Sequence, residues 1–276
     1  MNLPLITATG IHTTAKYYPK SGTIAAYPFA RVHDMFSRRA AAISSDAGDY
    51  NVPDGQVAIK DQMNLGSCVL NGLASSVEIQ LALEGNAWTD LSRLWLYWLC
   101  SVAQGTLGQD TGTEVALAVE RAIAAGVCEE RVWKYTDDPA AFFVPPPAAI
   151  VAALEGSDNQ PKAFYSIDTA DGLSKAEQCE TAIRANHCPQ VGSPVDATIQ
   201  GYRPGQVLTR PGAIIGGHSW LLTGVRRVNG QRQFKCRNSW GASYGDAGYF
   251  WIDESFVEWD QFNDIHVLTR VDALVI

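Results

Sequence analysis

The sequence predicts an α+β protein of two lobes, helices first and strands after. Apolar residues recur at helical spacing through the first half, from Cys68 onward. Short β-type runs punctuated by Gly, Pro and Asn-Gly follow after about residue 160. With 276 residues, 46% of them hydrophobic, the chain can fill one large domain or two lobes that share an interface.

Residues 1–51 are turn-rich and poorly periodic, with Gly10, Gly22, Pro28 and the Ala-rich "SRRAAAISSDAG" breaking any stripe. They read as an extension packed on, or linking to, a body of residues 52–276. Within the body, Val69, Leu70, Leu73, Ala74, Val77 and Leu81 share one stripe, so a helix should begin near Cys68. "DLSRLWLYWLCSVAQG" predicts a second helix, and "GTEVALAVERAIAAG" a third that stops at Gly126. The triple proline at 145–147 should break the chain there, closing a helical lobe of about residues 60–150. In the β lobe, about 160–276, "SPVDATIQ", "HSWLLTGVRR", "RQFKCRNSW" and "GYFWID" read as strands.

A formal net charge of −8 and a pI near 5.1 argue against nucleic acid or an anionic membrane as partner, since neither field would attract this surface. The N-terminus lacks the basic start and apolar run of a secretory signal, and no window reaches spanning length. The expectation is a soluble chain, cytoplasmic or attached to an assembly. The six cysteines are dilute and show no CxxC spacing, so no metal site is expected and reduced thiols are the default. Cys179 and Cys188 would pair only in an oxidising compartment.

In "DQMNLGSCVLNGLASSV" Cys68 stands at the first turn of a helix, where free N–H groups and the macrodipole favour thiolate. The alternative is a buried structural thiol. A nucleophilic cysteine needs a base, a group that fixes the base's tautomer, and donors for an oxyanion. Of five histidines, His218 follows Gly216 and Gly217 at the start of an apolar strand, where a substrate backbone could pass close to the ring. Twenty residues on, Asn238 ends a strand and Trp240 opens a glycine-rich turn. The Asn oxygen could hold one ring nitrogen of His218 while the indole shields the bond. A core histidine and a turn asparagine are the alternatives.

"DQMNLGSC", "GGHSWLLTGV" and "CRNSWGASYGDAGYF", in this order, resemble the papain family of cysteine peptidases over roughly residues 52–255. The resemblance implies a papain-like two-lobe fold with the site at the interface and no cofactor. It implies Cys68 as nucleophile, His218 as base, Asn238 as its orienting partner, and Gln62 as the oxyanion donor beside the Cys68 backbone N–H. "DTGTEVALAVERAIAAGVCEERVWKY" resembles the family's substrate loop and helix, which places Gly112 and Thr113 at the unprimed substrate groove; Gly217 and Trp240 are the other substrate-binding candidates. Leu65 stands where the family usually has a disulfide cysteine. Val69 and Tyr244 stand where it usually has tryptophans.

If His218 and Asn238 face each other directly across a hairpin, the connecting loop must centre on Val228 and hold three or five residues, with Gly230 at positive φ or in a bulge. A two-residue Asn229-Gly230 turn with no bulge would put the pair on opposite faces.

The leading expectation is a peptidase acting on a peptide or protein substrate. A second is a papain-like fold serving as a structural or binding component of a larger assembly, such as a virus particle, docked through the extension. A third keeps the chemistry but changes the acceptor, as in a transglutaminase-like or amidase variant.

Overall fold

The computed structural model describes residues 3–7, 10–17, 27–43, 48–85, 90–138, 140–141, 143–155, 161–168 and 172–270. The extension carries a hairpin of β1 (Leu3–Thr7) and β2 (Gly10–Tyr17), then β3 (Tyr27–Pro28), a 3-10 turn at Phe29–Arg31, α1 (His33–Ile43) and β4 (Tyr50–Asn51). The Ala-rich stretch, expected as a turn, is therefore partly helical. Phe36 and Ala40, one helical turn apart, are buried, and Phe36 packs 4.7 Å from Phe29. This tertiary burial outweighs the stretch's weak periodicity.

The helical lobe contains α2 (Cys68–Leu83), α3 (Arg93–Gln104), α4 (Val115–Ala125) and α5 (Pro147–Glu155). Ser92 caps α3 by accepting from the Trp95 N–H, and Gly105 and Gly126 end α3 and α4 at positive φ. The triple proline does not simply break the chain: Pro147 begins α5, where its missing N–H and fixed φ suit a first helical position.

The second lobe adds β5 (Ala163–Ser166), α6 (Lys175–Arg184), β6 (Gln190–Val195), β7 (Gly216–Val228), β8 (Gln231–Arg237), β9 (Tyr249–Asp253), α7 (Glu254–Val257) and β10 (Asp264–Thr269). The helix α6, absent from the sequence expectation, starts at a capping box in which Ser174 and Glu177 satisfy each other's backbone N–H. "SPVDATIQ" is strand only as far as Val195. Asp196 then accepts from the N–H groups of Thr198 and Gly212 and turns the chain.

The sheet runs β2-β1-β7-β6-β10-β5-β3, with β4 and β8 also on β7 and β9 on β8. The central β7 pairs antiparallel with β6 and β8, and parallel with β1 through Leu5 and Gly217. One core packs α2, α3 and α4 around Leu70, Leu73, Trp95 and Val119. The other fills the sheet side with Trp220, Phe234, Phe250 and Phe262, and it takes in Phe29 and Phe36 from the extension.

The β7–β8 connection corrects the predicted loop. The turn is the tight Asn229-Gly230 pair, with φ of 52° and 79°, and Val228 opposes Gln231. The strands nevertheless recover a common face, because the register shifts by one residue between Leu222 and Gly224. The bulge at Thr223 restores the shared face, but the register beyond it leaves His218 and Asn238 diagonal to each other and not directly opposed as expected.

Candidate active site

Cys68 is the first residue of α2 and is fully buried. The lobes meet closely behind it. Gln190 on β6 donates to the Val69 carbonyl at 2.7 Å, and a side-chain carbon at Gly72 would come within 2.8 Å of the same amide. Glycine is the residue that lets α2 lie this near the sheet.

His218 and Asn238 extend from β7 and the end of β8. The Nε2 of His218 lies 2.7 Å from the Asn238 Oδ1, which also accepts from the Ser239 N–H at 2.8 Å. An oxygen can only accept, so the imidazole proton sits on Nε2. Nδ1 is buried without a partner among the described residues. Trp240 stacks on the imidazole with ring centres 4.5 Å apart, and Tyr244 meets the indole edge-on at 4.9 Å. The Tyr244 hydroxyl donates to the Ile199 carbonyl at 2.6 Å.

Gln62 binds these parts together. Its Oε1 accepts from the Ser239 hydroxyl at 2.8 Å and the Trp240 indole at 3.1 Å, and its Nε2 donates to the Leu65 carbonyl at 3.1 Å. The amide is thereby oriented, with its oxygen toward the His218 side and its nitrogen toward the turn before Cys68.

Burial dominates the electrostatics. It pushes the Cys68 thiol up to about 12, although the backbone N–H groups of Ser219, Val69 and Cys68 itself oppose the shift. It pulls His218 down to about 4 against the Asn238 hydrogen bond. In this closed arrangement thiol and imidazole are both neutral. The helix-terminal stabilisation of thiolate read from the sequence is present but outweighed by desolvation.

Gly112, at φ 70°, gives its N–H to the Tyr97 hydroxyl at 2.9 Å, and Thr113 is fully buried. Gly217 is buried and pairs in register with Pro194 of β6 on one side and Leu5 of β1 on the other. Val69 and Leu65 belong to the core of the helical lobe.

Several residues that sequence reasoning passed over hold the loop before Cys68. Both oxygens of Asp110 accept from the Gly66 N–H, and one also accepts from the Tyr97 hydroxyl. The Tyr135 hydroxyl reaches the Gln62 carbonyl at 2.9 Å and bonds the Ser67 hydroxyl. Arg93 lies over the Tyr135 ring at 3.8 Å and donates to Asn71 and Glu130. The available signal was that a tyrosine in an apolar helix, such as Tyr97, needs a partner for its hydroxyl.

All six cysteines are free and buried. Among the described residues no cluster of His, Cys, Asp or Glu could hold a metal ion, and no helix is long and apolar enough to cross a membrane.

The model of the family described as papain family cysteine protease matches residues 45–263. An uncharacterized peptidase C1-like protein of Acanthamoeba polyphaga mimivirus is 26% identical over 210 residues, which cover 71% of this chain and 64% of that protein. A cathepsin B-like cysteine proteinase of Caenorhabditis elegans is 34% identical over 93 residues, covering 34% of this chain and 27% of that one. The chain thus spans less than two thirds of the length of these relatives. Among solved structures, xylellain, a cysteine protease from Xylella fastidiosa, superposes with a TM-score of 0.72 at 20% identity, covering 98% of this chain and 96% of that one. Bromelain from Ananas comosus superposes at 0.63 and 19% identity, over 81% and 99% of the two chains. These likenesses establish the α+β two-lobe fold.

Proposed function

The chain belongs to the papain family of cysteine proteases, and on that premise we propose that it hydrolyses peptide bonds through a covalent acyl-enzyme. The observation that carries the reading is the His218–Asn238 hydrogen bond, which leaves Nδ1 unprotonated and, among the described residues, unpartnered.

In the proposed reaction Nδ1 of His218 takes the Cys68 proton and the thiolate attacks the substrate carbonyl. The oxyanion is held by the Gln62 amide and the Cys68 backbone N–H. The C–N bond then breaks as the imidazolium protonates the leaving amine, and water cleaves the thioester with His218 again as base. Asn238 fixes the ring throughout, and Trp240 keeps water from that bond. The side chains require no metal or organic cofactor.

The test is hydrolysis of a panel of fluorogenic peptides by the wild-type chain, Cys68→Ala and Asn238→Ala. The reading expects turnover abolished by the first change and reduced about ten- to ten-thousand-fold by the second, the span between a lost hydrogen bond and a lost tautomer. Residual turnover in Cys68→Ala equal to wild type would refute it. The assembly-component reading is favoured by one observation, the strand β1 beside Gly217 next to His218. It expects no turnover from any of the three proteins.

A further inference from the structure

A cleft of about 370 Å3 separates α1 from the far end of α2 and is lined by Met35, Phe36, Leu83, His187, Arg38 and Arg39, among others. Gln80, on its α2 side, lies twelve residues along the helix from Cys68, or about 18 Å. The cleft is therefore remote from the proposed active site and independent of it. Its volume falls in the range of small-molecule sites, about 300–1,000 Å3.

The polar groups at this cleft include acceptors as well as donors: the Asn186 Oδ1 accepts from the Tyr50 hydroxyl at 2.6 Å, and Thr269 also lines it. His187 is 6% exposed. Gln80 Nε2 lies 2.7 Å from His187 Nδ1 and 2.9 Å from the Leu268 carbonyl, so its two hydrogens are both used. Nδ1 also lies 3.2 Å from that carbonyl, but the shorter Gln80 contact makes Nδ1 an acceptor and leaves the ring proton on Nε2. Nε2 has no hydrogen-bond partner among the described residues, and burial keeps the ring neutral, with its pKa pulled down to about 3. Glu84, the carboxylate at the rim, is paired with Arg270 at 3.1 Å. Arg38 and Arg39 are exposed on α1 and have no ion pair among the described residues. An imidazole N–H and two guanidinium groups thus stand at the rim of an apolar floor formed by Met35, Phe36 and Leu83. The His187 N–H and the two guanidinium groups, left without partners among the described residues, call for a ligand that brings acceptors and negative charge.

We infer that this cleft binds a small amphipathic carboxylate, with the apolar part on Met35, Phe36 and Leu83 and the carboxylate held by Arg38, Arg39 and the Nε2–H of His187. A bound ligand joins α1 of the extension to the end of α2, so occupancy stabilises the docked extension. The test titrates octanoate, with octan-1-ol as the uncharged control, into the full chain, following Tm and the NMR resonance of the His187 ring. Octanoate should raise Tm and move that resonance, and octan-1-ol should do so less. The Arg38→Gln/Arg39→Gln double variant, altered only at exposed positions, should weaken octanoate binding by about ten-fold or more. Absence of binding in the millimolar range, or binding undiminished in the double variant, would overturn the proposal. So would binding that appears only once residues 271–276 are removed, which would assign the cleft to that segment.

Discussion

Asp110 places both carboxylate oxygens on the backbone N–H of Gly66, at 3.1 and 3.0 Å, two residues before Cys68. Through Tyr97 the same carboxylate reaches the N–H of Gly112, so one acid ties the loop of the proposed nucleophile to the proposed substrate loop. Leu65 stands in this turn where the family usually has a disulfide cysteine, and the carboxylate makes a non-covalent fastening beside it. Asp110→Ala should lower kcat about ten-fold or more by releasing the turn. Tyr97→Phe should raise KM more than it lowers kcat, because it frees Gly112 while Asp110 keeps its hold on the Gly66 N–H. Steady-state kinetics on both variants separates this positioning role from a general loss of folded protein.

Lys60, two residues before Gln62, makes a 2.9 Å ion pair with Glu78 on α2, and both side chains are buried. Glu78 also accepts from the Leu91 N–H. Lys60→Met would leave that carboxylate unpaired, a loss of about 3–5 kcal/mol. Lys60→Met/Glu78→Leu should recover much of the loss, because the uncompensated charge is gone. Urea denaturation of the two variants measures the difference.

The strand β1 meets β7 at Gly217, next to His218, and Cys68 has no exposed surface. Removing residues 1–26 should therefore speed alkylation of Cys68. The comparison is the labelling rate of the full and shortened chains at one pH, with circular dichroism to confirm that both fold. Equal rates would mean that β1 does not limit access.

Acid should weaken the fold through its buried histidines. His218 and His187 have native pKa values pulled down to about 4 and about 3. An unfolded histidine titrates near 6.5. The unfolded chain therefore binds more protons than the native one below that value, and stability falls as pH drops through 6.5 toward 4 and 3. The steepest loss is on the order of 1 kcal/mol per pH unit for each proton taken up. Urea midpoints between pH 7 and pH 4 should fall more steeply for the wild type than for His187→Gln.

The sequence made legible those parts whose signal is local. The stripe from Val69 to Leu81 marked α2, Gly126 ended α4, and the motifs marked Cys68 at the start of α2, the hydrogen-bonded His218 and Asn238, and Gln62 bonded to Ser239 and Trp240. What stayed hidden depends on distant partners. α1 is helical because Phe29 and Phe36 bury against the second lobe, which the Ala-rich stretch does not announce. Asp110 gains its role only when Gly66 and Tyr97 meet it. The bulge at Thr223 compensates for a turn that local rules would choose anyway, so the sequence carried the turn but not its correction.

The central claim is that Cys68 and His218 act as a pair, and labelling with a thiol-directed epoxide near neutral pH, mapped by mass spectrometry, tests it most directly. All six thiols are buried, so exposure alone cannot select among them. The account predicts modification concentrated at Cys68 and lost in His218→Ala. Labelling of Cys68 no faster than the other five thiols, or unchanged in His218→Ala, would contradict it.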